Sequence, residues 1–333
     1  MSIRAHIPLL YHPTNVVILD DDPSFINVVR QAIDHSTPYL SSSDPHRILN
    51  YLHTHTYQQD TLSSLLVHPS FESIEKAETV ETFDVDFSKL RKHLNQPDHY
   101  KKVVVALVDQ SMERLDGLEF CRTVREDGLL VKLILFTGKA GTAKAVKAFN
   151  EGIIDAYLSK QDAHWTEKIN ELIAHYSWQQ FLDLAHSLGG FISHVMKPLY
   201  DEQFSEIFEH VRHREHVDEF YVLDSGCSFL LLRNSGAAKQ LLVRNEADYE
   251  DVYEFAKNSK APYDVLQALR NRQQFPYTPQ PMGYTKLQED AWDEVMIAVD
   301  KIPGRELYYT IIDRPDVTPF SFNKYFKEVW PKP

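Results

Sequence analysis

The stretch KVVVALVDQSMERLDGLEF, residues 102–120, decides the fold. It opens with the unbroken apolar run Val103–Val108, rich in β-branched valine. Such a run is far short of the ~20 residues that cross a bilayer, and its length suits a strand buried on both faces. The run stops on Asp109, and after a polar loop Asp116-Gly117 turns the chain into an amphipathic helix at Leu118–Glu126. Upstream, Asn15–Leu19 (NVVIL) is a second buried strand, ending on Asp20-Asp21-Asp22 and followed by Pro23–Ile33 with Phe25, Ile26, Val29 and Ile33 at helical spacing. Tyr39–Ser42 and Pro45–His53 supply another strand and helix; downstream come a strand at Lys132–Phe136, a helix at Thr142–Glu151 and a strand at Ala156–Ser159. Strict alternation of buried strands with amphipathic helices predicts an α/β fold, a doubly wound parallel sheet of five strands.

Beyond this core the chain carries two additions. Residues 56–100, acidic around Glu72–Asp86 and with a further helix near Phe87–Leu94, read as an insertion on one face of the sheet. From Ala163 a helical pattern runs to Ser187, where Gly189-Gly190 stop it; at 1.5 Å per residue it spans roughly 36 Å, enough to connect two domains. A helix at Leu199–Val217 follows. The period then changes to two: Glu219–Leu223, Phe229–Leu232 and Gln240–Val243, separated by Asp224-Ser225-Gly226 and Asn234-Ser235-Gly236, predict an antiparallel meander. Helices at Glu246–Lys257 and Pro262–Arg272, a Pro- and aromatic-rich stretch Phe275–Tyr284, a helical segment around Asp290–Val299 and a strand at Leu307–Ile312 complete an α+β domain. The expected division is therefore 1–162, a connecting helix at 163–189, and 190–333.

A chain of 333 residues with 43% hydrophobic and 25% charged residues has ordinary globular composition and room for two cores. The net charge of −13, split as −5 over residues 1–162 and −8 over 163–333, opposes broad contact with nucleic acid or an anionic membrane. Cys121 and Cys227 lie far apart without CxxC spacing, and no signal peptide or membrane span is apparent, so a reducing cytoplasm is expected.

The chemistry is expected where strands end, because ligands of open α/β sheets bind at the carboxyl edge. Asp20, Asp21 and Asp109 share that edge, and such a carboxylate cluster calls for a cation; oxygen ligands of this kind suit Mg²⁺. Thr137 and Lys160 follow two further strands. A hydroxyl and an ammonium beside metal-bound carboxylates are what a transferred phosphoryl group requires, since its equatorial oxygens must be neutralised.

Four motifs in this order, ILDDDPS (18–24), VDQSMERLDGLEF (108–120), FTG (136–138) and YLSK (157–160), resemble the receiver domain of two-component response regulators over about half the chain, roughly Asn15 to Ala174. The resemblance implies that Asp109 accepts a phosphoryl group from a sensor histidine kinase. It implies that Asp21, Asp109 and the backbone carbonyl of Ser111 hold Mg²⁺, with Asp20 acting through a water. Lys160 would pair with the phosphoryl oxygens, Thr137 would donate to them, and Tyr157 would be the aromatic that turns inward with the threonine. Two residues depart from the family pattern: Glu113 replaces a proline after Met112, and Gln161 replaces the proline that often follows the lysine in a cis peptide. The long insertion and the α+β output are similar to those of quorum-sensing members of this family.

The second domain offers patterns and no chemical motif. His210, His213 and His216 cannot all face one ion from a single helix, because i and i+6 lie about 240° apart. No arginine-rich recognition helix, Walker loop, HExxH or GxSxG is present. The sequence thus predicts a phosphorylation-dependent switch acting through homodimerisation and output contacts. A receiver-gated nucleotide-binding or enzymatic output, and more weakly a DNA-binding one, are the other readings.

Overall fold

The computed structural model describes residues 5–58, 66–67, 84–91, 96–113, 115–138, 141–186, 195–278, 285 and 291–328. The helix stop at 187–190, most of the acidic stretch 72–86, the end of the helix expected at 87–94, and residues 279–284 lie outside them. Two compact units emerge: Met1–Ile7, Ile192–Arg233 and Ala237–Thr318 form one, while Pro8–Phe191, Asn234–Gly236 and Pro319–Pro333 form the other.

The unit built on residues 8–191 contains, in chain order, β1 (Asn15–Leu19), α1 (Pro23–Ala32), β2 (Tyr39–Ser42), α2 (Pro45–His55), β3 (Val103–Asp109), α3 (Gly117–Glu126), β4 (Lys132–Thr137), α4 (Thr142–Asn150), β5 (Ala156–Ser159) and α5 (Trp165–His186). The five strands pair in parallel in the order β2-β1-β3-β4-β5. Every residue of β3 is buried, as a strand covered by helices on both faces must be. Asp22, Asp44 and Asp116 each cap the helix that follows, accepting from Ser24, His46 and Leu118 N–H at 2.8, 3.0 and 2.8 Å.

The long helix α5 is present and docks along this sheet. Asn170 donates to Ala32 O at 2.8 Å, Tyr176 to Asp155 O at 2.5 Å, and Lys132 pairs with Asp183 at 2.7 Å. Its first task is thus to close the α/β layer, not only to lead away from it. In the 56–100 connection, Leu66–Val67 pairs with Asp84–Val85, and the helix expected near Phe87–Leu94 is present at Ser88–Arg91, the end of its range lying outside the described residues.

The other unit holds α6 (Glu202–Arg214), β6 (Glu219–Val222), β7 (Phe229–Leu232), β8 (Ala238–Asn245), α7 (Glu246–Asn258), α8 (Tyr263–Arg270), β9 (Gln274–Pro276), β10 (Met296–Ala298), β11 (Asp300–Lys301) and β12 (Leu307–Asp313). The meander forms as expected, and β12 extends it to β6-β7-β8-β12-β11, antiparallel throughout. Phe204 and Phe208 of α6 pack with Phe229, and Phe208 with Phe220, on one face of this sheet. Tyr249, Val252, Val265 and Leu269 cover the other through Leu242 and Tyr308. The helix expected from Leu199 begins only at Glu202, because Pro198 lies in a 3₁₀ turn and Asp201 caps α6 through Phe204 N–H at 2.9 Å. The helix expected around Asp290–Val299 shrinks to one turn, Trp292–Val295. Met296–Ala298 becomes a strand because its backbone pairs with Gln274–Pro276, a tertiary partner that outweighs helical spacing.

A further helix, α9 (Phe322–Glu328), belongs to the unit of residues 8–191 although the sequence division assigned it to the output. Phe322 meets Tyr100 edge-on and Tyr325 meets it at a tilt, with ring centroids 5.2 and 5.3 Å apart, and the Tyr100 hydroxyl donates to Phe320 O at 3.1 Å. No helix among the described residues is long and apolar enough to cross a membrane.

Candidate phosphoryl-transfer site

The register of the parallel sheet assembles the site. Leu19 pairs with Val108, Asp109 with Phe136, and Thr137 with Ser159, so Asp20, Asp109, Thr137 and Lys160 meet at one carboxyl edge. Asp20 and Asp109 stand on either side of the boundary between β1 and β3, where the strand order reverses. Asp20, Asp21 and Asp109 bring carboxylate oxygens within 4.8 Å of one another, and they are the one such group of three metal-ligating side chains among the described residues. Asp20 and Asp109 are buried.

Each carboxylate is oriented by backbone. Asp20 accepts from Asp22 N–H at 2.8 Å and Asp109 from Ser111 N–H at 2.9 Å. Asp21 accepts from Glu113 N–H at 2.6 Å. That last bond gives the first departure from the family pattern a physical meaning, since a proline at 113 has no N–H to offer.

Lys160 bridges two of the acids, with Nζ 2.7 Å from Asp109 Oδ1 and 2.9 Å from Asp20 Oδ2. Burial pushes the Asp20 carboxyl up, the Lys160 hydrogen bond working against it and the Asp109 charge with it. Burial alone would lower the Lys160 ammonium, but the hydrogen bonds and charges of Asp109 and Asp20 together hold it above the ordinary lysine value. The Lys160–Gln161 peptide is trans, and Lys160 N–H donates to Thr137 O at 2.9 Å. The lysine therefore reaches Asp109 without the proline at 161.

Thr137 is fully buried and its hydroxyl has no hydrogen-bond partner. Tyr157 lies outward, 37% exposed. Gly117 has an exact reason to be glycine: a Cβ there would lie 1.9 Å from the carbonyl oxygen of Asp109.

Sequence reasoning missed three contributors. Phe25, read only as part of an apolar helix face, sits with its ring centroid 3.8 Å from the Lys160 ammonium, a cation–π contact that helps hold the lysine. Phe25 in turn meets Phe136 edge-on and Trp165 at a tilt, with ring centroids 5.2 and 5.6 Å apart. Gln110 and Gly141 press against each other behind Asp109. The helical spacing of Phe25 gave a face, and nothing in the spacing identified lysine as its neighbour.

A 2-1-3-4-5 parallel sheet with this edge, joined to an α+β unit, has the fold of a receiver-containing response regulator. The chain is similar to the solved response regulator LqsR of Legionella pneumophila at a TM-score of 0.77 and 24% identity, covering 98% of this chain and 97% of that one. Shorter structures also align: a CheY-like receiver domain protein from Methanospirillum hungatei (16% identity, 50% of this chain and 96% of that one, TM-score 0.32) and one from Clostridium thermocellum (14%, 51% and 98%, 0.32). Scores of that size add nothing to the fold assignment. No family model and no curated protein sequence matches the chain.

Proposed function

We propose that this protein is a cytoplasmic response regulator that takes a phosphoryl group on Asp109 from a sensor histidine kinase and signals through the resulting change of shape. The observation that carries the reading is the Lys160 ammonium bridging Asp109 and Asp20 beside a buried, unpartnered Thr137 hydroxyl. In the transfer, an oxygen of the Asp109 carboxylate forms a bond to phosphorus while the donor's P–N bond breaks. The histidine nitrogen keeps the electron pair and takes up a proton, and the product is an acyl phosphate.

The donor set fits a hard dication: Asp21, Asp109 and the Ser111 carbonyl would hold Mg²⁺, with Asp20 reaching it through water. When bound, the ion neutralises charge on the phosphoryl oxygens. Lys160 would keep one phosphoryl oxygen paired, and Thr137 would move to donate its hydroxyl to another. Tyr157 would then turn inward into the space the threonine leaves.

The same movement alters the face formed by α4 and β5. Val146 and Phe149, one turn apart on α4, and Tyr157 on β5 are exposed apolar side chains, and a second copy of the chain is the partner this reading assigns them. The division of labour follows the units: residues 8–191 with 319–333 receive the signal, and the unit of residues 192–318 delivers the output.

Wild type incubated with acetyl phosphate and Mg²⁺ should gain one phosphoryl group by intact mass and shift to a dimer by light scattering, and Asp109→Asn should do neither. An Asp109→Asn protein that responds like wild type would refute the assignment.

A further inference from the structure

Gln110 follows the proposed phospho-acceptor directly, and its backbone is fixed on both sides. Its N–H donates to Phe136 O and its carbonyl accepts from Gly117 N–H, each at 2.9 Å. The side chain is buried, at 4% exposure, yet its Oε1 has no hydrogen-bond partner. The amide lies against Gly141, so closely that a Cβ on that residue would stand 2.1 Å from Oε1, 2.7 Å from Cδ and 2.9 Å from Nε2. Gly141 has φ −87°, a conformation open to any residue, so what a side chain here would meet is the Gln110 amide and not a backbone constraint.

Gly141 is the N-cap of α4, and no side chain caps that helix. The first turn of any helix presents backbone N–H groups without intrahelical partners. A buried carbonyl without a donor and a helix start without a side-chain cap are therefore in contact and unbonded. An interaction absent in one state and available in another biases the equilibrium between them.

Resting on the phospho-acceptor reading, we infer that Gln110 is a positioning residue of the switch. When Thr137 moves toward a phosphoryl group on Asp109, the start of α4 follows and its first-turn N–H groups reach the Gln110 Oε1. The helix is then capped only in the loaded state. This ties the loop at Asp109 to the element that carries Val146 and Phe149. Glutamine here acts at a distance from the reacting atoms, through the helix it holds.

The test is hydrogen exchange of residues 142–145 in the full-length protein, with and without beryllofluoride and Mg²⁺, loading being read separately by fluorine NMR of the bound fluoride. Wild type should exchange about threefold or more slowly at these amides once loaded. Gln110→Met, similar in size and lacking the acceptor, should load and show no such slowing. Gln110→Glu, which keeps an acceptor, should retain it, and Gly141→Ala, whose Cβ takes the amide's place, should lose it. Slowing in Gln110→Met equal to wild type, or none in loaded wild type, would overturn the coupling. Failure of wild type to load at all would instead remove the phospho-acceptor reading and the coupling with it.

Discussion

Thr137 buries its hydroxyl at the end of β4 with no hydrogen-bond partner. An unmet buried polar group costs on the order of 1–3 kcal/mol. Thr137→Val, of nearly the same shape, should therefore raise the stability of the unphosphorylated protein by about 1 kcal/mol or more in urea unfolding, while weakening its response to beryllofluoride. A loss of stability would show that the hydroxyl is bonded in the resting state. Gly117 sets the opposite case. Its Cβ would meet the Asp109 carbonyl at 1.9 Å, so Gly117→Ala must push backbone apart and should cost about 1–3 kcal/mol, seen as a lower urea midpoint. A neutral effect would mean that the loop at 109–117 yields freely. At this scale the candidate site was legible in the sequence wherever a residue's position follows from a strand end: Asp20, Asp21, Asp109, Thr137 and Lys160 all stand where the alternation put them. Gln110 and Phe25 were not, because their importance lies in what they touch, and spacing along the chain carries no record of that. Glu113 was noticed only as a missing proline, and its value is the N–H that proline lacks.

At the scale of elements, strands and helices of the parallel sheet were read to within a residue or two, since buried valine and leucine runs alternate with caps that act locally. Met296–Ala298 resisted such reading: it is a strand because Gln274–Pro276 lies beside it. The C-terminal helix α9 was missed for the same reason. Phe322, Tyr325 and Phe326 show helical spacing, but the partner that gives them a core, Tyr100, lies more than two hundred positions away. Phe322 is buried, so Phe322→Ala should cost about 3–5 kcal/mol. Its damage should be local to the sheet's unit, appearing as faster amide exchange at Pro97–Lys101, the 3₁₀ turn that leads into β3. Equal loosening of β6–β8 with no change at 97–101 would contradict that assignment.

Across the whole molecule, the acidity that first argued against nucleic acid divides into different uses. Part of it is the Asp20, Asp21 and Asp109 cluster, and part is structural pairing, as at Glu215, which is 12% exposed and accepts Lys239 at 2.7 Å with Arg214 and Arg233 at 3.0 and 3.4 Å. The Lys239 hydrogen bond, then the neighbouring cations, hold this carboxyl below the ordinary glutamate value of 4.5. A carboxyl lowered on folding stabilises the folded state above its unfolded value, and that contribution is lost as pH falls through the folded one. Unfolding of the 192–318 unit should accordingly become easier as pH drops below 4.5, and Glu215→Gln should flatten the dependence; an unchanged slope would show that other acids govern it. The broad two-domain plan was visible in length and periodicity, whereas the crossing of the chain back to its first unit was not. That return has a consequence for synthesis. Residues 8–191 leave the ribosome first, yet Tyr100 gains the cover of Phe322 and Tyr325 only when residues 320–326 emerge, after the whole intervening unit. A chain cut short after residue 318 would display that bare aromatic surface to chaperones and proteases, so the first unit to be made is also the last to be finished.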